Sequence, residues 1–215
     1  MLKENKGTII LTTLITAAPV LLGLLLWSRL PDTIATHFDI AGEPNGWSSK
    51  AFAVFAIPGF LVVCQLLCTF GTMTDPRKKN IQQKMFRLVL WICPAVSLLA
   101  GFMTLSAALG MALRTEKLVL IFLGILFIVI GNYLPKCRQN YTIGIRVMWA
   151  LEDEENWAAT HRFASRLWVG CGVVILLLAF LPWGAAGLWI SLGLILVASL
   201  ASVLYSYIFY RRKPG

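Results

Sequence analysis

The chain alternates between long apolar runs and short polar segments. Six apolar runs approach the roughly 20 residues that a helix needs to cross a bilayer. They cover residues 8–28, 52–72, 88–110, 118–134, 167–183 and 187–209. Because hydrocarbon offers no partners to backbone N–H and C=O groups, such runs cross a membrane as helices. The pattern predicts an all-α polytopic membrane protein, with a bundle of six transmembrane helices forming a single domain over residues 1–215.

The composition excludes an ordinary soluble protein. Of the 215 residues, 58% are hydrophobic and 13% are charged, whereas a soluble domain is about 25% charged. The formal charge of +9 is explained by Lys and Arg retained on one side of the membrane, so we expect no direct nucleic-acid binding. The five cysteines form no CxxC pair, and we therefore expect no disulfide, metal site or cofactor.

The basic residues predict the orientation of the six spans. Cytoplasmic loops are rich in Lys and Arg, and fifteen of the nineteen basic residues lie at the termini and in the loops after the second and fourth spans. They are Lys3, Lys6, Arg77, Lys78, Lys79, Lys84, Arg87, Lys136, Arg138, Arg146, Arg162, Arg166, Arg211, Arg212 and Lys213. We expect both termini inside, the loop 29–51 outside and the loop 133–166 in the cytoplasm.

The centres of the predicted spans carry no ionisable side chain. Their polar residues are uncharged, for example Gln65, Ser97 and Thr104. Proton relays and ion-coupled carriers generally place ionisable groups inside the membrane. A proton-driven pump is therefore not expected, but a transporter or permeation pathway for an uncharged, small or peptide solute remains open.

The outer loop has a patterned end, "HFDIAGEPNGWSSK". Pro44 followed by Asn45 and Gly46 favours a turn. The side chains that can gather around it are His37, Asp39, Glu43, Asn45 and Trp47. One interpretation is a recognition patch that faces the outside, and another is a compact loop whose side chains bond to its own backbone. A metal site is the least favoured interpretation, because one His and two carboxylates on a flexible segment are a weak signal.

The inner loop divides into two parts. Residues 134–146 contain Gly and Pro, which favour an irregular, folded-back chain over a helix. Residues 151–168 favour a helix, because acids fill the first turn and Arg162 and Arg166 follow, which complements the helix dipole. We expect this helix at the cytoplasmic surface, before the fifth span.

Three hypotheses compete for the inner loop. The first is a docking platform for a cytoplasmic protein, with Trp157 and arginines as anchors. The second is a catalytic or phosphate-binding site built from Asn140, Arg146 and His161. The third is a cap that closes the bundle. The catalytic hypothesis is the least favoured of the three, because the loop has a single His, no nucleophile and no pair of residues at metal-ligand spacing. We therefore expect no catalytic residue.

Both loops resemble signatures of the SdpI-type membrane proteins. "LPDTIATHFDIAGEPNGWSSK" matches the outer motif, and "GNYLPKCRQNYTIGIRVMWALEDEENWAATHR" matches the inner motif. The outer motif residues are His37, Phe38, Asp39, Pro44, Asn45 and Trp47. The inner ones are Asn132, Pro135, Lys136, Arg138, Asn140, Tyr141, Gly144, Arg146, Trp149, Trp157, Thr160, His161 and Arg162.

The resemblance implies a location and a function. It implies a bacterial inner-membrane protein that gives immunity to a secreted, membrane-active peptide toxin. It further implies a cytoplasmic repressor that the protein holds at the membrane when toxin is present. The chain departs from the family pattern at Gln139 and Met148, where proline is expected, so a looser loop backbone is predicted there.

Overall fold

The computed structural model describes residues 2–212, and Lys213, counted above, lies outside them. In the described part the helices are α1 (Leu2–Leu25), α2 (Ile57–Thr74), α3 (Gln83–Ala108), α4 (Thr115–Tyr133), α5 (Met148–Glu152), α6 (Glu154–Leu178) and α7 (Gly184–Arg212). Six helical segments are long and apolar enough to cross a membrane: Lys3–Leu25, Phe52–Thr74, Gln83–Ala108, Thr115–Lys136, Glu154–Leu178 and Gly184–Arg212. The chain is a mostly helical, multi-pass membrane protein, and the six predicted spans are confirmed.

The first of two compact units holds α1, α2, most of α3 and a β-hairpin. The hairpin pairs β1 (Thr33–Phe38) with β2 (Pro44–Ser49) in antiparallel register. Its inner side chain Ile34 is buried in a cluster with Leu30, Val54 and Leu105. A strand pair was not expected from the sequence, so the all-α prediction is wrong in this one segment.

The second unit holds α4 to α7 and the connector between α2 and α3, residues 74–85. Here α4 and α6 approach so closely that a Cβ added to Gly172 would lie 2.7 Å from the carbonyl oxygen of Gly124. Only glycine permits such backbone contact between helices. Leu120 and Ile175 are buried beside this crossing.

The predicted surface helix and the fifth span form one continuous helix. After the short α5, the chain extends at Asp153, whose carboxylate accepts a hydrogen bond from the backbone N–H of Glu155 at 2.9 Å. This is an N-cap, which satisfies one of the free donors of a helix start. From Glu154 the helix continues without interruption to Leu178.

Candidate functional site

The inner signature forms a folded loop, residues 134–153, that packs against the start of α6. Asn140 shapes its first half. The Asn140 side chain oxygen accepts hydrogen bonds from the backbone N–H groups of Thr142 (2.9 Å) and Ile143 (2.7 Å), while its nitrogen donates to the carbonyl of Arg138 at 2.8 Å. Asn140 thus replaces the backbone partners that an irregular chain lacks.

Trp157 and His161 form a buried platform under the second half of the loop. Their rings stack with centroids 4.2 Å apart, and they are 2% and 1% exposed. The indole N–H of Trp157 donates to the carbonyl of Cys137 at 2.7 Å. Both residues therefore support the loop from inside it, so Trp157 cannot act as the projecting anchor of the docking hypothesis.

His161 is held in one tautomer by two backbone groups. Its Nε2 accepts a hydrogen bond from the N–H of Ile145 at 3.0 Å, and its Nδ1 lies 2.7 Å from the carbonyl oxygen of Trp157. A nitrogen that accepts from an amide carries no proton, so Nδ1 carries it and the ring is neutral. Gly144, at a φ of +113°, lies directly on this ring: an added Cβ would meet Nε2 at 2.5 Å.

The connector between α2 and α3 holds the loop from a second side. The carboxylate of Asp75 accepts hydrogen bonds from the backbone N–H of Tyr141 (2.9 Å) and the hydroxyl of Thr142 (2.6 Å), and Asp75 is only 3% exposed. The Arg77 guanidinium donates to the carbonyl of Leu151 at 3.1 Å and covers the Tyr141 ring, 4.9 Å from its centroid. Two segments far apart in sequence therefore form one polar structure.

Gln139, where the family pattern has proline, joins the folded loop to the connector. Its side chain is buried, donates to the carbonyl of Ala150 at 2.9 Å and accepts a hydrogen bond from Arg77. Its backbone carbonyl accepts from the side chain of Asn80 at 2.8 Å. The looser backbone expected at this departure from the family pattern is not found.

Two further signature positions are linked to α7, Trp149 directly and Thr160 through Asn156. Trp149 packs against the rings of Tyr207 and Tyr210, with centroids 5.4 and 6.3 Å away. The hydroxyl of Thr160 donates to the side-chain oxygen of Asn156 at 2.9 Å, which also accepts from the hydroxyl of Ser206 at 2.8 Å. These contacts fix the loop and α6 to the last span.

The remaining signature side chains form the exposed surface of this structure. They are Asn132, Pro135, Lys136, Arg138, Tyr141, Arg146 and Arg162. Among them Arg146 donates to the carbonyl of Tyr141 at 2.9 Å, and Lys136 covers the Tyr133 ring at 4.8 Å. The signature thus divides into buried residues that build the loop and exposed, mainly basic residues that it displays.

The three residues of the catalytic hypothesis do not converge on an accessible point. Asn140 and His161 are buried and bonded to backbone groups, whereas Arg146 is exposed. Burial also raises the pKa of the nearby Cys137 thiol to about 11, which suppresses the reactive thiolate. Among residues 2–212 no three His, Cys, Asp or Glu side chains are grouped to hold a metal ion.

The outer motif builds the hairpin, and its turn differs from the prediction. Pro44, Asn45 and Gly46 belong to β2, and the reversal occurs at residues 39–43. There Asp39 accepts hydrogen bonds from the N–H groups of Ala41 and Glu43, both at 2.9 Å, and Gly42 has a φ of +85°. The prediction of a turn at Pro44–Gly46 is therefore wrong. The chain turns at residues 39–43 instead, where the Asp39 side chain holds it.

The hairpin displays five of its six motif side chains, all except Phe38, and anchors its base with another residue. His37 pairs with Asn45 across the strands, Phe38 is half-buried and Trp47 is 62% exposed. At the base, the ammonium of Lys50 donates to the carbonyl of Leu30 at 3.0 Å. Asp39 bonds to the loop's own backbone, as the compact-loop interpretation requires, and Trp47 is exposed, while the recognition patch stays a prediction.

The polar side chains of the first unit's spans bond to one another. The Gln65 amide donates to the hydroxyl of Thr12 at 2.7 Å and accepts from Thr16, and the hydroxyl of Ser97 donates to the carbonyl of Thr16 at 2.7 Å. Thr104 is also buried. Hydrogen bonds between transmembrane helices are a common packing device, which accounts for Gln65 and Ser97.

Sequence reasoning missed the residues that clamp the loop from outside the signature. Asp75, Arg77 and Asn80 lie in a basic connector whose composition is typical of a solvated loop. The one local hint was a single acid next to a run of bases, and nothing in it indicates a partner 66 residues away, at Tyr141.

Comparison with known proteins gives matches along most of the chain. Residues 136–206 match the SdpI/YfhL protein family, and residues 14–62 match a domain of unknown function, DUF1648. The chain is 30% identical over 210 residues to "Immunity protein SdpI" of Bacillus subtilis (strain 168), covering 96% of this chain and 97% of that protein. An uncharacterized protein of Archaeoglobus fulgidus is 28% identical over 132 residues, covering 50% of this chain and 71% of that protein. No solved structure matches.

Proposed function

The chain belongs to the SdpI/YfhL protein family, and from this premise we propose that it is an immunity protein against a secreted, membrane-active peptide toxin. The observation that carries the proposal is the similarity to an immunity protein over 96% of this chain and 97% of the relative. Because the similarity extends over the spans and both loops, the proposal rests on more than one shared motif.

The proposed orientation places the hairpin outside the cell and the folded loop in the cytoplasm. The distribution of Lys and Arg supports it. In this orientation the exposed Trp47 and the His37–Asn45 pair face an arriving toxin. A large aromatic ring beside polar groups is suited to an amphipathic peptide, since tryptophan is enriched where binding energy concentrates.

A second role, holding a cytoplasmic repressor at the membrane, would use the exposed part of the loop. The candidate contacts are Arg138, Tyr141, Arg146 and Arg162, because Trp157 and His161 are buried inside the loop. A fluorescent fusion of a candidate repressor is expected to move to the membrane when toxin is added. An unchanged distribution would argue against this role and leave the immunity role intact.

The alternative function is a transporter or permeation pathway for a small or peptide solute. Its candidate lining residues Gln65 and Ser97 are instead engaged in hydrogen bonds with α1. Solute flux into reconstituted vesicles, lost on substitution of Gln65, would favour transport over immunity.

The immunity role is tested by survival of a toxin-sensitive bacterium that expresses the chain. Wild-type protein is expected to raise survival against at least one of a panel of secreted membrane-active peptides, and Trp47→Ala to reduce that protection at equal membrane abundance. Trp183→Ala is the matched control, because it removes another exposed tryptophan, in the turn before α7. No protection against any peptide, with the protein present in the membrane, would contradict the proposal.

A further inference from the structure

The folded loop borders a half-open pocket that its own hydrogen bonds leave unfilled. The volume of the pocket is about 410 Å³, which lies in the range of small-molecule sites. Its lining residues come from the connector, the loop and the first turns of α6, and they are Asn80, Pro135, Cys137, Arg138, Gln139, Glu154, Trp157 and Ala158. The pocket therefore lies within the second unit, at the end of α4 and the beginning of α6.

Two opposite charges line this pocket without meeting each other. Among residues 2–212, neither the Arg138 guanidinium nor the Glu154 carboxylate has an ion pair or a hydrogen bond. Their neighbours are engaged: Gln139 uses both ends of its amide, and Asn80 uses its nitrogen. The amide oxygen of Asn80 is a further acceptor in the lining of the pocket.

The remaining walls are apolar. Pro135, Ala158 and the ring of Trp157 contribute them, and Trp157 is fixed by its hydrogen bond to the Cys137 carbonyl. A cation, an anion and a rigid apolar surface in one pocket are complementary to a molecule with a carboxylate, an ammonium and a short apolar part.

From this arrangement we infer that the pocket binds a small zwitterion of the amino acid or short peptide class. Arg138 receives the carboxylate, Glu154 and the Asn80 oxygen receive the ammonium, and Pro135 and Ala158 contact the apolar part. Guanidinium–carboxylate pairing is the strong, directional kind of hydrogen bonding. This assignment goes beyond the immunity role and does not depend on it.

A phospholipid headgroup such as phosphatidylethanolamine offers the same pair of charges. The pocket is lined by Pro135, at the end of the fourth span, and by Glu154, at the beginning of the fifth. The test therefore includes an arm that separates a soluble zwitterion from a lipid headgroup.

The test measures binding to the full chain in nanodiscs of phosphatidylglycerol, by thermal shift and by titration calorimetry. The probes are L-alanyl-L-leucine, its N-acetyl form, which lacks the ammonium, and its C-terminal amide, which lacks the carboxylate. We expect saturable binding of the free dipeptide and binding about 10- to 100-fold weaker for each blocked form, as for loss of one charged hydrogen-bonding partner.

Two variants test which charged group of the dipeptide each side chain binds. Arg138→Gln is expected to remove the preference for the dipeptide over its amide, and Glu154→Gln the preference over its N-acetyl form. Both side chains are exposed, so the unliganded melting temperature should not change. Arg162→Gln and Glu152→Gln are the controls, since both are exposed charges outside the pocket lining, and they should bind like wild type.

Three results would overturn the inference. The first is no saturable binding of the dipeptide up to about 20 mM, well above the affinities that a 410 Å³ pocket supports. The second is binding that Arg138→Gln and Glu154→Gln leave unchanged. The third is stabilisation seen only when phosphatidylethanolamine replaces phosphatidylglycerol in the nanodiscs, which would assign the pocket to a lipid headgroup. Loss of toxin immunity is not a readout here, so the two proposals fail separately.

Discussion

Substituting Gly144 by alanine should open the folded loop. Gly144 has a φ of +113°, and an alanine Cβ would lie 2.5 Å from Nε2 of His161 and 3.1 Å from Cζ2 of Trp157. Because both rings are fixed by hydrogen bonds to backbone groups, neither can move away freely. The displaced ring would lose its bond to the Ile145 N–H.

Two effects contribute to the free energy by which Gly144→Ala destabilises the closed loop. Backbone strain at a positive φ contributes about 1–3 kcal/mol, and the lost hydrogen bond about 1 kcal/mol. A local destabilisation of about 3 kcal/mol raises the open population about 100-fold. Trypsin cleavage after the exposed Arg146 should accelerate by a similar factor when opening and closing are fast relative to cleavage.

Gly170→Ala provides the control, because a Cβ at Gly170 in α6 meets nothing within 4 Å. That variant should be cleaved at the wild-type rate, or more slowly, since alanine favours helix over glycine. Wild-type cleavage of Gly144→Ala would refute the argument that the loop is packed on the Trp157–His161 platform.

Three other perturbations test separate parts of the structure. Asp75→Ala should accelerate the same tryptic cleavage by about 10- to 100-fold, because it removes the acceptor of the Tyr141 N–H and the nearer of the two acceptors of the Thr142 hydroxyl; an unchanged rate would mean that the connector does not hold the loop. Cys137, in a chain whose other cysteines are replaced, should react with a maleimide at pH 8 about 100-fold more slowly than an exposed thiol of pKa 9.0, since burial raises its pKa to about 11; equal rates would contradict that burial. Gln65→Leu should lower thermal stability by about 1 kcal/mol through its lost interhelical bonds and leave toxin protection intact; loss of protection with normal abundance would favour the transport alternative.

The spans could be predicted from the sequence, whereas the outer hairpin could not. Apolar runs of sufficient length admit one structure in a bilayer, so hydropathy alone located all six helices. The hairpin depends on a side chain, Asp39, which caps residues 41 and 43. The neighbouring Pro44 and Asn45 have a stronger turn preference, and that preference was overridden when both became part of β2.

The members of the inner loop could be predicted, but their roles could not. Motif spacing identified Asn140, Trp157 and His161, and it could not reveal that all three point into the loop. The clamp from Asp75 arises from contact between segments 66 residues apart, which local pattern does not encode. Polar residues in a signature therefore indicated a folded structure here, and the exposed charges between them, such as Arg138, define its surface.

Orientation is the point on which the two-sided account depends most. In intact cells expressing an otherwise cysteine-free chain, a cysteine at the Trp47 position should react with a membrane-impermeant maleimide. A cysteine at the Arg138 position should react only after the cells are lysed. Both positions are exposed to their surroundings in the fold, so failure to react reports the side of the membrane. The reverse pattern, with Arg138→Cys labelled in intact cells and Trp47→Cys protected, would contradict a hairpin that meets toxin outside and a loop that faces the cytoplasm.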